Sequence, residues 1–327
     1  MLYSLLQHPT KIAVIVMIQI VLSCSNITNK DKINNVKGKK VEGVHAAFYN
    51  SSGDRISMST TEGRVIITDS LLNIILIRKI HSGNANSSFF SLDDKYIISG
   101  GNDNLLTVIN SEDLSIIKKY KFHLNAWTSV YGYNTLAGCG NDGQLVVYNF
   151  LTTDTIYVKL NKSGAFHLFY TEPDKKLVVS SGNCGFEYDI QKKRIIHEYI
   201  GHRDWVYCIM PSNDMNKIIT ASKDSTVAIY DRFTQKRIYT SFKLDGAAYV
   251  ACFSNDDKTI ALSTSKGSIY FLDITLSKII KKINAFKGRI NTIHFSPSGT
   301  HILAGSELGN AKIFSVKTGK LLYECDY

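Results

Sequence analysis

Three histidines and three aspartates recur at matched spacing along this chain: His81 with Asp103, His123 with Asp142, and His202 with Asp224, separated by 22, 19 and 22 residues. With a nearby serine such as Ser222, each pair could serve as a hydrolase triad, the carboxylate orienting an imidazole that activates a hydroxyl. Repetition argues otherwise. One active site needs one such set, whereas a stabilising hydrogen-bond network can occur once per repeat, so no catalytic residue is expected among them.

Other chemistries fare no better. No phosphate-binding Gly-x-x-x-x-Gly-Lys-Ser/Thr loop, His-Glu-x-x-His pair or Gly-x-Ser-x-Gly elbow occurs, and no Cys-x-x-Cys pair suggests structural zinc. Neither metal nor cofactor is therefore expected. His45, His167 and His294 fall in segments that could line a central channel, at one, two and four residues past the segment starts. By strict strand alternation they do not form one ring, and they read as scattered strand histidines.

The elements that carry these residues repeat. Similar segments begin at Val44, Ala85, Trp127, Ala165, Val206, Ala248 and Ile290, at intervals of 41, 42, 38, 41, 42 and 42 residues. The short interval reflects three residues missing from the first turn of the Trp127 segment. A later strand of each repeat ends at Asp69, Asn110, Asn149, Asp189, Asp231, Asp273 and Ser315, and a further strand follows, as in Ile75–Ile80 or Leu321–Cys325. Gly-Asn-Asp and Ser-Gly clusters interrupt every helical pattern, so the chain reads as all-β. Seven repeats of four antiparallel strands predict a seven-bladed β-propeller over residues 41–327.

The best copy runs from Gly201-His202-Arg203-Asp204-Trp205 through Ala221-Ser222-Lys223-Asp224 to Ile229-Tyr230-Asp231. This array resembles the WD-repeat family, whose repeats carry an early Gly-His and a late Trp-Asp, with Tyr230 here in the tryptophan position. The resemblance implies that each His and Asp bond within a blade to a Ser or Thr (Thr220 or Ser222) and to the aromatic Tyr230. It also implies a rigid binding platform that does no chemistry.

The formal charge of +10 raises the question of a polyanionic partner. The basic clusters, such as Arg78-Lys79, Lys118-Lys119, Lys192-Lys193-Arg194 and Lys281-Lys282, recur where each blade's outermost strand is expected. Lysine there discourages edge-to-edge pairing, so nucleic acid is not the expected partner.

Residues 1–23 read as a signal segment: the apolar run Ile12–Leu22 is too short to span a bilayer as a helix, and Val21-Leu22-Ser23-Cys24 resembles a bacterial lipobox. Lipidation is then expected at Cys24, with residues 24–40 as a polar tether. The other five cysteines form no disulfide pattern, and most are expected to be buried small apolar residues.

A partner surface is expected around the loops that lead into each first strand. The candidates by register are Asn84, Trp127, Phe166, Arg203, Trp205, Tyr207, Tyr249, Arg289 and Asn291, and they include both tryptophans of the chain. Large aromatics and arginines are common interface anchors. The expected function is a scaffold binding other proteins, a single propeller within a complex, anchored by lipid at a bacterial envelope membrane. An intracellular adaptor subunit is the alternative, and an enzyme with a central-channel site the distant one.

Overall fold

A computed structural model describes residues 43–121, 126–132, 134–149, 151–160 and 164–326. The expectations for residues 1–40, including Cys24, and for His123 lie outside them. The described residues form seven four-stranded antiparallel sheets, each of four consecutive strands, with no helix among them. Blade 1, for example, comprises Val44–Tyr49, Arg55–Thr60, Arg64–Asp69 and Ile74–Lys79.

The first strands, Val44–Tyr49, Ala85–Phe90, Ala126–Tyr131, Ala165–Glu172, Val206–Pro211, Ala248–Phe253 and Ile290–Phe295, stand next to one another around the axis. Third strands end at the seven residues expected. Blade 3 differs by one residue, because its first strand starts at Ala126 and not Trp127. Its first turn, residues 132–134, is two residues shorter than the five-residue turns of blades 1, 2, 5, 6 and 7. The shift of the strand start accounts for the third residue.

Sheets covered on both faces favour strands that are apolar nearly throughout. The second strands follow that rule: Lys217–Ser222 and Thr259–Thr264 are buried at every residue after the first. The core accordingly lies in layers between blades. Val44, Ile56 and Met58 of blade 1 pack with Leu303 and Ile313 of blade 7, and Ile98 and Leu106 of blade 2 with Leu136 and Val146 of blade 3. Outer strands alternate instead, as in Lys278–Asn284. The basic residues divide between these strands and the turns before them, since Lys192, Lys193, Lys236, Lys317 and Lys320 precede the outer strand.

Polar groups close the ring between blades 7 and 1. Thr292 Oγ1 accepts the Ala47 N–H at 3.3 Å and donates to the Ala47 carbonyl at 3.2 Å, while Asn291 Nδ2 donates to the Val44 carbonyl at 2.9 Å. Gly305 permits the approach, because a Cβ there would lie 2.7 Å from Val44 Cγ1 and 2.8 Å from Thr292 Cγ2.

At the far ends of the first strands, aspartates in a left-handed turn conformation reach the preceding blade. Asp94 accepts the Ser51 N–H at 3.1 Å, Asp174 the Asn134 N–H at 2.9 Å and Asp257 the Asn213 N–H at 2.8 Å.

One seam departs from apolar packing. Glu187, in the third strand of blade 4, stands where blades 3 and 5 place Val147 and Ile229. Its fully buried carboxylate accepts from Arg232 Nη2 at 2.6 Å and Nε at 3.0 Å, from Thr171 at 2.7 Å and from the Tyr199 hydroxyl at 3.2 Å. His197 Nδ1 lies 2.9 Å away. Burial raises the Glu187 pKa, and the hydrogen bonds from Arg232, Thr171 and His197 with the Arg232 charge together outweigh it, leaving the carboxyl below its ordinary value. Arg232 belongs to blade 5, so the pair crosses between blades.

Removing one partner of a buried pair strands the other, which costs about 3–5 kcal/mol. Arg232→Met should therefore lower unfolding stability by that order in urea titrations, and Glu187→Leu with Arg232→Met should recover much of the loss. Equal losses in single and double variants would contradict the pairing.

Candidate functional site

The His–Asp pairs are internal to their blades. His202 Nδ1 lies 2.9 Å from Asp224 Oδ2 and Nε2 lies 2.8 Å from Thr220 Oγ1, so the partner hydroxyl is that of Thr220. Ser222 instead donates to the Asp204 carbonyl, and the Tyr230 hydroxyl to the Ile200 carbonyl at 3.0 Å. In blade 2, His81 Nδ1 lies 2.8 Å from Asp103 Oδ1, with Nε2 3.0 Å from Ser99 Oγ.

Both imidazoles are buried. Burial lowers their pKa values against the opposing pull of the aspartates. Asp224 also caps the turn above it by accepting the Arg203 N–H at 3.0 Å. These groups tie the turn between the second and third strands to the approach of the first strand, and none of them lines the central cavity. Asp142 accepts the Gln144 N–H at 3.1 Å; its expected partner is His123.

The central cavity has a volume of about 340 Å³. His45, His167 and His294 all line it, which corrects the reading of three scattered strand histidines. The cause is a register shift near the start of every first strand: Val44 pairs with Thr60 but Ala46 with Ser59, so His45 is an extra residue. Equivalent shifts occur in blades 2 to 7. A bulge of this kind leaves one residue unpaired and re-aims its neighbours. Positions one, two and four past the strand start then share the cavity wall, and these are the positions of His45, His167 and His294.

Position one carries His45, Asn86, Trp127, Phe166, Tyr207, Tyr249 and Asn291 in blades 1 to 7. Trp127 thus belongs to the ring by register, though its side chain is outside the described residues. Blades 4 to 6 make an aromatic arc. Phe166 lies 5.3 Å from Trp205 and 5.5 Å from Tyr207 between ring centroids, and Tyr207 stacks on Tyr249 at 4.6 Å and 15°.

Arg289 continues the arc, its guanidinium 4.9 Å from the Tyr249 ring and donating to the Tyr249 hydroxyl at 3.2 Å. It also donates to Asn291 Oδ1 at 2.8 Å and pairs with Glu307 at 3.2 Å. Trp205 remains 42% exposed, and the Lys223 ammonium lies 5.3 Å from its ring. Asn84 Nδ2 lies 3.4 Å from His45 Nε2, just outside the wall, and Arg203 is exposed and not part of the wall.

The described wall combines imidazole, amide and aromatic groups with one guanidinium. No group of three His, Cys, Asp or Glu residues that could hold a metal ion occurs among the described residues. Burial lowers the pKa of His45 to about 4, with Arg289 adding to the effect and Glu307 opposing it. His167 is likewise lowered to about 4, although its Nδ1 lies 2.9 Å from the Ile209 carbonyl. His294, 4.0 Å from the Phe48 ring, is lowered to about 3 by burial and by His167. Burial, then the neighbouring Tyr249, raises Tyr207 to about 12. Among the described residues, the wall is therefore uncharged near neutral pH except for Arg289.

Cys139, Cys208 and Cys252 are buried as expected, whereas Cys184 and Cys325 are partly exposed.

Residues 193–231 and 277–315 match the family model for the WD domain, G-beta repeat, covering parts of blades 4, 5, 6 and 7. The chain is also similar to Protein NEDD1 of Homo sapiens, 25% identical over 263 residues, 76% of this chain and 38% of that protein. The guanine nucleotide-binding protein subunit beta of Oryza sativa subsp. japonica is 24% identical over 211 residues, covering 58% and 54%. The periodic tryptophan protein 2 homolog of Dictyostelium discoideum is 21% identical over 307 residues, covering 84% and 33%. The chain thus spans between a third and just over half the length of these relatives.

The three cavity histidines make acid destabilising. Unfolded, each binds a proton near pH 6.5; folded, only near pH 4 or 3. Between those values the unfolded state holds more protons, so stability is full above about pH 6.5 and falls as pH drops, by up to ~1.4 kcal/mol per unit for each histidine. Urea midpoints should be lower at pH 5 than at pH 7.5, and His294→Gln should shrink the difference. A midpoint independent of pH would contradict this.

Proposed function

We propose that this seven-bladed propeller, with WD40 repeats matched in two segments, is a non-catalytic adaptor that holds a partner protein against the aromatic mouth of its central cavity. The observation that carries the reading is the continuous arc of Trp205, Phe166, Tyr207, Tyr249 and Arg289. Aromatic and arginine side chains bury a large area for little lost rotamer freedom and dominate interface energetics. The arc rests on strands whose backbones are locked in the ring, so little ordering cost is left for binding.

The similarities favour an intracellular adaptor over an envelope lipoprotein. The relatives reported above belong to a human, a plant and an amoeba, and one of them is named as a subunit. The lipid-anchor reading keeps its own support in the sequence Val21-Leu22-Ser23-Cys24. N-terminal mass spectrometry of wild type and Cys24→Ala separates the two: an adaptor in an intracellular complex keeps an unlipidated Cys24, and a lipidated Cys24 that is lost with the substitution supports the anchor.

Replacing Trp205 and Tyr249 together by alanine should reduce recovery of native partners in affinity capture by about tenfold or more, the scale of an interface hot spot. Near-ultraviolet circular dichroism should show the fold intact. Undiminished recovery with an intact fold would reject this face as the binding surface.

A further inference from the structure

The aromatic arc is only half of the cavity mouth. Position one is aromatic in blades 4, 5 and 6, yet in blades 7, 1 and 2 it carries Asn291, His45 and Asn86. Among the described residues, no aspartate or glutamate lines the cavity. The nearby carboxylates are committed elsewhere: Glu307 pairs with Arg289 from outside the wall, and Asp204 pairs with Lys223. A lysine or arginine side chain entering on the amide and imidazole side of blades 7, 1 and 2 would lose its hydration, meet no counter-charge and be repelled by Arg289, which is strongly unfavourable in a confined site.

We propose that the cavity receives the carboxylate of an acidic peptide segment, seated against the amide and imidazole groups of blades 7, 1 and 2, with an adjacent apolar residue on the aromatic arc. This rests on the reading of that face as the partner-binding surface and specifies the partner's chemistry. Asn291 donates one amide hydrogen to the Val44 carbonyl and accepts from Arg289, which leaves its second N–H for a ligand oxygen. Arg289 supplies the one fixed positive charge of the wall, held in place by Tyr249, Asn291 and Glu307.

The imidazoles give the site a proton-linked component. His294 makes no hydrogen bond among the described residues. His167 Nδ1, placed against the Ile209 carbonyl, holds the ring proton and leaves Nε2 with its lone pair. A carboxylate entering between them brings a negative charge that favours uptake of one proton from solvent onto an imidazole nitrogen. The complex then carries a compensated pair where the free cavity was neutral.

The charged and titratable groups around these rings are Arg289 and Glu307 near His45, the two rings His167 and His294 near each other, and Tyr207 and Tyr249 on the arc, with Asp204 behind Tyr207. Tyr207, raised to about 12, stays protonated throughout the range of the test.

The test uses the full chain and fluorescein-labelled hexapeptide amide pools with a fixed Phe-Glu, Phe-Gln or Phe-Lys centre. A fourth pool has Phe-Gln and a free C-terminal carboxylate, which separates a side-chain source from a terminal one. Polarisation should show a carboxylate-bearing pool binding about tenfold or more tighter than Phe-Lys, and tightening further from pH 7.5 to 5.5. Uptake of one proton allows up to about tenfold per pH unit. His294→Gln, and separately His167→Gln, should flatten that pH dependence, with folding checked by circular dichroism.

Preference for Phe-Lys, equal binding of all pools, no binding of any pool, or pH-independent binding in wild type would overturn the proposal. Its failure is distinct from that of the adaptor reading. If the Trp205 and Tyr249 substitutions abolish partner capture while no carboxylate pool binds, the surface stands and its ligand chemistry falls. If the pools bind as expected and capture is unaffected, the reverse holds.

Discussion

The first strand of each blade has to satisfy two demands that a regular strand cannot meet together: it must pair with its own second strand, and it must turn side chains toward a common axis at the mouth of the ring. The bulge near its start reconciles them. One residue is released from the ladder, and positions one and two share the cavity wall with position four. Without that extra residue, His45, His167 and His294 would not line one cavity. The aromatic ring at position one would also lose its relation to Trp205 and Arg289.

The bulges can be tolerated because the rest of each blade is over-determined. Between neighbouring sheets lie apolar layers, and beneath the cavity the far turns are linked by Asp94, Asp174 and Asp257. Two blades add a His–Asp–hydroxyl network, and the seam between blades 4 and 5 adds the Glu187–Arg232 pair. Blade 5, which carries both the network and Arg232, also presents Trp205 and Tyr207. The best-tied blade thus supports the centre of the proposed binding arc.

Much of the ring was legible in the chain, because a forty-residue period punctuated by turn residues leaves few architectures. The third-strand ends and six of seven first-strand starts could be read directly, and blade 3 slipped by one where its first turn is short. The cavity was not legible for a physical reason: a bulge has no fixed side-chain signature, and alternation counted through it puts every later residue on the wrong face. Glu187 and Arg232 were missed for a different one. Each looks like a surface charge in its own repeat, and only the ring brings blades 4 and 5 into contact. Position one was readable as a rim in part, since Phe166, Tyr207, Tyr249 and Asn291 were found by register, while Arg203 donates its backbone N–H to Asp224 and is not part of the wall.

Partner contact at position one of the first strands is what the proposed adaptor role requires most. A photo-crosslinking residue can be placed at Tyr249 on that ring and, separately, at Ile280 on the exposed outer strand of the same blade. After irradiation in native extract, the account predicts a discrete protein adduct from position 249 and none from position 280. Adducts from position 280 with none from 249 would contradict it and move the binding surface to the rim of the disc.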